Sequence, residues 1–187
     1  MRSYTVNELM VPLSEYATVP EDATLYEAVL ALEKAQEKFE DKQTRYRHRA
    51  ILILDKNGDV VGKVSQLDLL KALEPKYQGM IQGRGPQRFG FTKQFMKSML
   101  QEYHLFADPL EDICREAGEK NVKEFMYTPS EGEYVTETAS LGEAIHQLIM
   151  GHHQSLLVTR DEKIVGVLRL TDVFAALFHK MKACFEK

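Results

Sequence analysis

The chain has 187 residues, 44% of them apolar and 28% charged, with a formal net charge of −4. That length can bury a core in one domain or two small halves, while the acidic balance excludes a general attraction to nucleic acid or an anionic membrane. No apolar run is long enough to cross a bilayer, residues 1–10 lack the apolar stretch of a signal peptide, and Cys114 and Cys184 have no metal-ligand spacing, so a reduced cytoplasmic protein is expected.

Taken in order, Val6-Asn-Glu-Leu-Met10 predicts a short helix before a loop with Pro12, and Ala17-Thr-Val19 a brief extended piece. Thr24-Leu-Tyr-Glu27 is a capping box, in which the hydroxyl holds the N3 amide and the glutamate reaches back to the cap. The helix it opens carries Leu25, Ala28, Val29 and Leu32 on one face. Alternating charge at 33–47 predicts a longer, solvent-facing helix end. Residues 48–73, HRAILILDKNGDVVGKVSQLDLLKAL, read as strand, tight turn, strand and helix. The run 50–54 suits a strand covered on both faces. Asn57-Gly58 predicts a type I′ turn, which needs positive φ at both central residues. Past Gly62, a helix is expected at 67–73.

Residues 74–121 form an insertion. Its glycine-rich part, 79–90, is expected as a loop, and Gly83-Arg-Gly85 is no dinucleotide fingerprint because no strand precedes it and the third glycine is misplaced. Phe95, Met99 and Tyr103 share one face of a helix predicted over 91–103. Asp108-Pro-Leu-Glu111 predicts another, with Asp108 as N-cap, Pro109 at N1 and Glu111 at N3. Both helices are expected to pack against the rest.

The first pattern then returns. Val122-Lys-Glu-Phe-Met126, Tyr134-Val135 and the capping box Ser140-Leu-Gly-Glu143 precede residues 152–177, HHQSLLVTRDEKIVGVLRLTDVFAAL. Laid without a gap on 48–73, this stretch puts Gly166 on Gly62, Val165 on Val61, Asp172 on Asp68 and Leu177 on Leu73. The slot from Arg160 to Lys163 matches the hairpin with poorer turn chemistry. The chain is therefore an internal repeat: repeat 1 at 1–73, helical insertion at 74–121 and repeat 2 at 122–187. Each repeat is a small mixed sheet with flanking helices, an α/β (α+β) architecture. At the end Phe174, Leu177, Phe178, Met181 and Phe185 form an apolar stripe suited to a core or to a dimer face.

The strand-to-helix turns carry the chemistry. A helix N-terminus offers unpaired amides to an anion, with Ser65, Arg169 and Thr171 as further donors. Asp68 and Asp172 suit the two hydroxyls of a ribose. Ser65-x-x-Asp68 is equally a capping box that needs no ligand. Arg169 cannot cap as an acceptor and opposes the helix dipole, so it is expected to face an anion. His146, His152 and His153 lack a Cys or carboxylate at metal-ligand spacing. No nucleophile–base pair, carboxylate dyad or metal set points to an enzyme.

The unit is similar to the cystathionine β-synthase (CBS) domain, and the tandem pair resembles a Bateman module. The resemblance rests on a turn of glycine, two apolar residues, Ser or Thr, two variable residues and Asp. Here it reads Gly62-Lys-Val-Ser65-Gln-Leu-Asp68 and Gly166-Val-Leu-Arg169-Leu-Thr-Asp172, and it covers nearly everything except 74–121. Lys63 departs from the apolar residue usual there, and Arg169 from the hydroxyl. The resemblance implies two repeats packed by their sheets with pseudo-twofold symmetry, leaving two clefts that take adenosine compounds. One cleft would join Arg49 and Ala50 to Arg169, Thr171 and Asp172. The other would join His153 and Gln154 to Ser65 and Asp68 in the turn that Gly62 opens, while Val19, Val167 and Tyr134 enclose the base. The residues and the resemblance together give the expectation of a non-catalytic, cytoplasmic regulatory module with no required cofactor, and the resemblance implies that it is homodimeric. AMP, ADP or ATP is its candidate ligand and an unidentified protein its partner, with no nucleic acid and no membrane involved. The alternative is a dimerisation or interaction module whose clefts stay empty.

Overall fold

A computed structural model describes residues 4–40, 48–81 and 91–185. The charged residues 41–47 and the glycine-rich residues 82–90, with Gly83 and Gly85, lie outside the described residues. The chain opens with a single 3-10 turn, Val6–Glu8, and the two-residue strand β1 (Val11–Pro12). In the first repeat β2 (Thr18–Pro20) is parallel to β3 (Ala50–Leu54), which is antiparallel to β4 (Val60–Ser65). Helices α1 (Leu25–Glu40) and α2 (Gln66–Ala72) complete it. After the insertion, β5 (Tyr134–Thr136), β6 (Ser155–Arg160) and β7 (Lys163–Arg169) repeat that sheet, with α6 (Leu141–Met150) and α7 (Leu170–Phe185) as its helices.

The apolar strands are buried on both faces, each face for its own reason. Ile51, Ile53 and Val64 meet Leu25, Ala28 and Leu32 of α1, while Leu156, Val158 and Leu168 meet Leu141, Ala144 and Leu148 of α6. The residues between them, Leu52 and Leu157, point the other way because side chains alternate along a strand. They meet one another with Val11, Tyr16 and Val167 in a third cluster, the joint between the sheets. A continuous apolar run is what a strand between a helix layer and a second sheet requires.

The repeats also exchange their opening segments. The Val6 and Asn7 amides donate to the Ala139 and Glu137 carbonyls, and β1 pairs with β7. Reciprocally, the Val122 amide donates to the Ala23 carbonyl, the Leu25 amide to Lys120, and Tyr127 bridges Lys63 on β4. Val6 thus lies in the second repeat's core and Val122 in the first's. This crossing explains the turn glycines. A Cβ on Gly166 would stand 2.6 Å from the Val11 carbonyl oxygen, and one on Gly62 would stand 2.9 Å from Met126 Sδ and 3.3 Å from the Tyr127 oxygen.

The two hairpins reverse the expected turn chemistry. In the first, the Asp55 carboxylate accepts the Asn57 and Asp59 amides at 2.8 and 2.9 Å. The Gly58 amide donates to the Asp55 carbonyl, and of the loop residues only Gly58 has positive φ, +84°. Asn57-Gly58 is therefore not a type I′ turn: the aspartate ties a longer loop instead. The I′ geometry belongs to Asp161 and Glu162, with φ of +48° and +65°, because β6 and β7 pair out to Arg160 and Lys163 and leave only two residues to turn in. Replacing Asp161-Glu162 by Asn-Gly is expected to stabilise the fold by about 1 kcal/mol, by removing left-handed strain at two non-glycine residues. Equilibrium denaturation measures it, and no gain would mean the turn is unstrained.

Loop length also shifts the repeat alignment. Five residues (55–59) separate Leu54 from its partner Val60, whereas four (160–163) separate Thr159 from Ile164. The buried triplet Ile51, Leu52, Ile53 therefore corresponds to Leu156, Leu157, Val158, one position later than the gapless overlay has it. His48 matches His153, Arg49 matches Gln154, and Ala50 matches Ser155.

Helix ends differ in detail. Thr24 and Glu27 form the full capping box, and Ser140 Oγ accepts the Glu143 amide at 3.2 Å. In the insertion, α3 (Lys76–Ile81) precedes α4 (Lys93–Glu102) and α5 (Leu110–Glu119). The N-cap of α5 is Pro109, one residue later than expected, and Thr92 caps α4. Packing separates the two: α5 buries Ala117 in the first core, but α4 buries none of its residues. On α7, Leu177 packs against the second core, whereas Phe174, Phe178, Met181 and Phe185 stay exposed.

Candidate functional site

The turns at the ends of β4 and β7 face each other across the joint, and a cleft of about 540 Å³ lies between them. Its floor is where strands give way to helices: Ala50, Ser65 and Asp68 from the first repeat, Ser155, Arg169 and Thr171 from the second. Arg49, His152, His153 and Gln154 complete the wall, with Tyr16, Lys63, Tyr127 and Glu133. Of the residues expected to be joined in two separate clefts, all but Asp172 line this one cavity, since both strand-to-helix turns open onto the same space.

Each turn has solved the helix N-terminus in its own way. Ser65 accepts the Asp68 amide at 3.3 Å while Asp68 Oδ2 accepts the Ser65 amide at 3.0 Å and its hydroxyl at 2.6 Å, a complete capping box. Lys71 donates to the other Asp68 oxygen at 3.1 Å. Burial alone would raise the Asp68 pKa, but these donors outweigh it and hold the carboxyl below its usual range. In the second repeat the equivalent of Ser65 is Arg169, which has no acceptor to offer. Its Nε and Nη2 donate to the two Asp172 oxygens at 2.5 and 2.7 Å. The anion that Arg169 faces here is therefore Asp172, and the arginine is only 4% exposed.

That guanidinium also ties the repeats together. Arg169 Nη1 lies 3.4 Å from Nδ1 of His48, a fully buried residue whose ring meets Tyr16 edge-on at 4.4 Å. Burial, with the arginine's positive charge beside it, pulls the His48 pKa down to about 4, so the ring is neutral at ordinary pH. Burial also pushes the Tyr16 hydroxyl up to about 12, partly opposed by Arg169.

At the other end of the cleft, Glu133 is 3% exposed and carries three partners. Lys63 forms an ion pair with it across the repeats, Tyr127 donates at 2.6 Å, and the Ser130 amide donates at 3.1 Å. Desolvation works against its charged form, yet these donors prevail and its pKa lies below the ordinary carboxylate value. The same contact raises the pKa of Tyr127. The charge at Lys63, unexpected in the sequence pattern, is thus answered by a buried carboxylate.

Several expected residues lie elsewhere. Val19 is buried in the first core and Val167 in the inter-sheet cluster, because both strands are covered on each face. Tyr134 lines a separate, shallow pocket with Gln147 and Thr159. Gly62 packs under Met126 rather than on the cleft, and Asp172 sits behind Arg169. Tyr16, Tyr127, Glu133, His152 and Ser155 were missed as lining residues. For Ser155 the unequal hairpin lengths were the available signal; for Glu133 and Tyr127 it was the unpaired charge at Lys63. Among the described residues no three His, Cys, Asp or Glu side chains group to hold a metal ion, and no helix is long and apolar enough to cross a membrane.

The family model of the CBS domain matches residues 6–75 and 122–179. The chain belongs to this family. CBS-domain proteins are generally regulatory, non-catalytic modules. Among curated proteins no sequence match is found. Solved structures share the fold at low identity. CBSX2, a CBS-pair protein from Arabidopsis thaliana solved in complex with AMP, is 20% identical with a TM-score of 0.55, the match covering 95% of this chain and 98% of that one. A CBS domain-containing protein of unknown function from Bacillus anthracis is 17% identical with a TM-score of 0.60, over 95% and 94%. Protein MJ1004 from Mathanocaldococcus jannaschii is 20% identical with a TM-score of 0.57; the match covers 94% of this CBS pair and 60% of that chain. The two matched segments overlap the two repeats read from the sequence, and residues 76–121 lie between them.

Proposed function

We propose that this CBS pair is a non-catalytic regulatory module that takes one adenine nucleotide, AMP, ADP or ATP, in the cleft between its repeats and passes the occupied state to a protein partner. The observation that carries the reading is the cleft itself, where both strand-to-helix turns and the basic residues Arg49, His152 and His153 line one space. Arg49 is exposed and forms no ion pair with any described residue, so it supplies the cleft's available guanidinium for phosphate. The AMP complex of CBSX2 supports the ligand class. A ligand touching both repeats favours the arrangement it fits best, which is a population shift and not a reaction. The cell compartment expected is the cytoplasm.

The test is a thermal-shift panel. AMP, ADP or ATP at 100 times its Kd is expected to stabilise by about 2.7 kcal/mol, worth roughly 5–11 °C for a chain of this size, while GMP leaves the midpoint unmoved. A flat panel favours the second reading, an interaction module with an empty cleft, which the completed Ser65–Asp68 capping box and Arg169–Asp172 pair also fit.

The exposed Phe174, Phe178, Met181 and Phe185 on α7 suit a homodimer interface. Sedimentation is expected to find more than the 21.5 kDa species. Replacing Phe178 and Met181 by Glu is expected to dissociate it without unfolding, since neither residue is core; a purely monomeric wild type would refute the assignment.

A further inference from the structure

Helix α4 of the insertion shows water an apolar face. Phe95, Met96, Met99, Leu100 and Tyr103 recur at helical spacing on one side of it, and Met96, Leu100 and Tyr103 are each 46–47% exposed. Phe91, stacked on Phe95 at 5.2 Å, extends this face past the start of the helix. The helix is nevertheless held in place. Thr92 caps its N-terminus, accepting the Phe95 amide at 3.2 Å. Behind its C-terminus, buried Glu74 accepts the Phe106 amide at 2.8 Å and Lys76 Nζ donates to the His104 carbonyl at 2.9 Å. His104 and Phe106 take φ of +47° and +53°, left-handed values that cost a residue with a side chain. A buried carboxylate and two left-handed residues thus fix the turn on which α4 stands, while the helix itself buries none of its residues.

The charge around this face is opposite to that of the chain. Between Glu74 and Glu102 the sequence has five basic residues and no acidic one, so the remainder carries more than the whole net charge of −4. Such asymmetry marks a segment that meets an anionic surface. Lys93 and Lys97, both exposed, stand seven and three residues before Leu100 and line one margin of the apolar face. We propose that α4 is an interfacial anchor that lays this face into the headgroup layer of an anionic bilayer. Met96, Leu100 and Tyr103 enter the acyl boundary, while Lys93 and Lys97 run their stems along the margin and place their ammonium groups at lipid phosphates. A protruding helix suits a flat surface, whereas a peptide partner is taken by a groove. The net charge gives the chain no general attraction to such a bilayer, so the attachment belongs to this helix and is reversible.

Flotation of the full chain with phosphatidylcholine vesicles, with and without phosphatidylglycerol, tests the anchor. The wild type is expected to float with the mixed vesicles and far less with the neutral ones. Lys93→Gln with Lys97→Gln is expected to weaken binding to the mixed vesicles about tenfold, and Met96→Glu with Leu100→Glu to abolish it. No flotation of the wild type would overturn the proposal and leave this face to a protein groove with an acidic rim. Equal binding to both kinds of vesicle would overturn it too. Because the chain has no tryptophan, Met96→Trp and Phe178→Trp each report on one apolar face, and they do so even if the glutamate variant fails to fold. Tryptophan at position 96 is expected to shift its emission to the blue on mixed vesicles and to be quenched by brominated lipid. An unmoved spectrum there, or a shift at position 178 alone, overturns the assignment to α4.

Discussion

Glu133→Ala is expected to destabilise the protein by about 1–3 kcal/mol, because it takes the acceptor from a half-buried lysine and from two further donors. Lys63 is 16% exposed at its side chain and lines the cleft, while Glu133 is only 4% exposed, so water replaces the lost partner only in part. Tyr127 and the Ser130 amide lose their acceptor together with it. The pair joins a strand of the first repeat to the turn before the second sheet, so the loss falls on the packing of the repeats against each other. Urea denaturation of Glu133→Ala, Lys63→Met and the double variant separates burial from attraction. The double variant is expected to recover part of the loss, since it carries no unpaired charge although Tyr127 and the Ser130 amide still lack their acceptor. Recovery of nothing would mean the site is structured by more than this pair. The pH dependence has a definite sign. Glu133 titrates lower in the folded chain than its unfolded value of 4.5, so its contribution is fully present above that value and is lost as the pH falls through the depressed pKa. Glu133→Gln is expected to flatten that part of the acid limb.

Gly166→Ala is expected to cost about 3 kcal/mol, against a smaller loss for Gly62→Ala, because the two added methyl groups meet different obstacles. At Gly166 the obstacle is the Val11 carbonyl at 2.6 Å, backbone of the strand that pairs with β7. At Gly62 the nearest atom is the thioether of Met126, the far end of a flexible side chain. Moving β1 also loosens the arm that carries Val6 into the second core. Thermal unfolding of the two variants is the measurement, and equal losses would mean that β1 shifts without resistance.

Much of this was readable in the chain. The two repeats, their order of elements, the capping box at Thr24 and Glu27 and the strand-to-helix turns are local patterns, and local patterns depend on residues close in sequence. The hairpins show where that logic stops. Asn57-Gly58 has the composition of a type I′ turn, but the carboxylate of Asp55 takes two loop amides and a longer loop wins. Asp161-Glu162 has poor composition, yet the pairing of Arg160 with Lys163 leaves no other way to turn. Strand pairing outweighed the local preference of two residues, and it moved the alignment of the repeats by one position.

The charged residues divide the same way. Sequence spacing by itself determined that Ser65 and Asp68, and Arg169 and Asp172, stand three apart at the start of a helix, where a side chain and an amide must satisfy one another. It determined also that Lys63 and Arg169 break the pattern of their family. Only the tertiary structure decided what answers those charges. Glu133 lies 70 residues from Lys63, and His48 lies 121 from Arg169, separations over which no periodicity speaks. The exchange of opening segments brings Tyr127 to Lys63 and Val11 to Gly166, and the packing of the two sheets then merges two expected clefts into one. A buried charge takes whatever partner folding puts within reach, because in a site without water the alternative costs several kcal/mol.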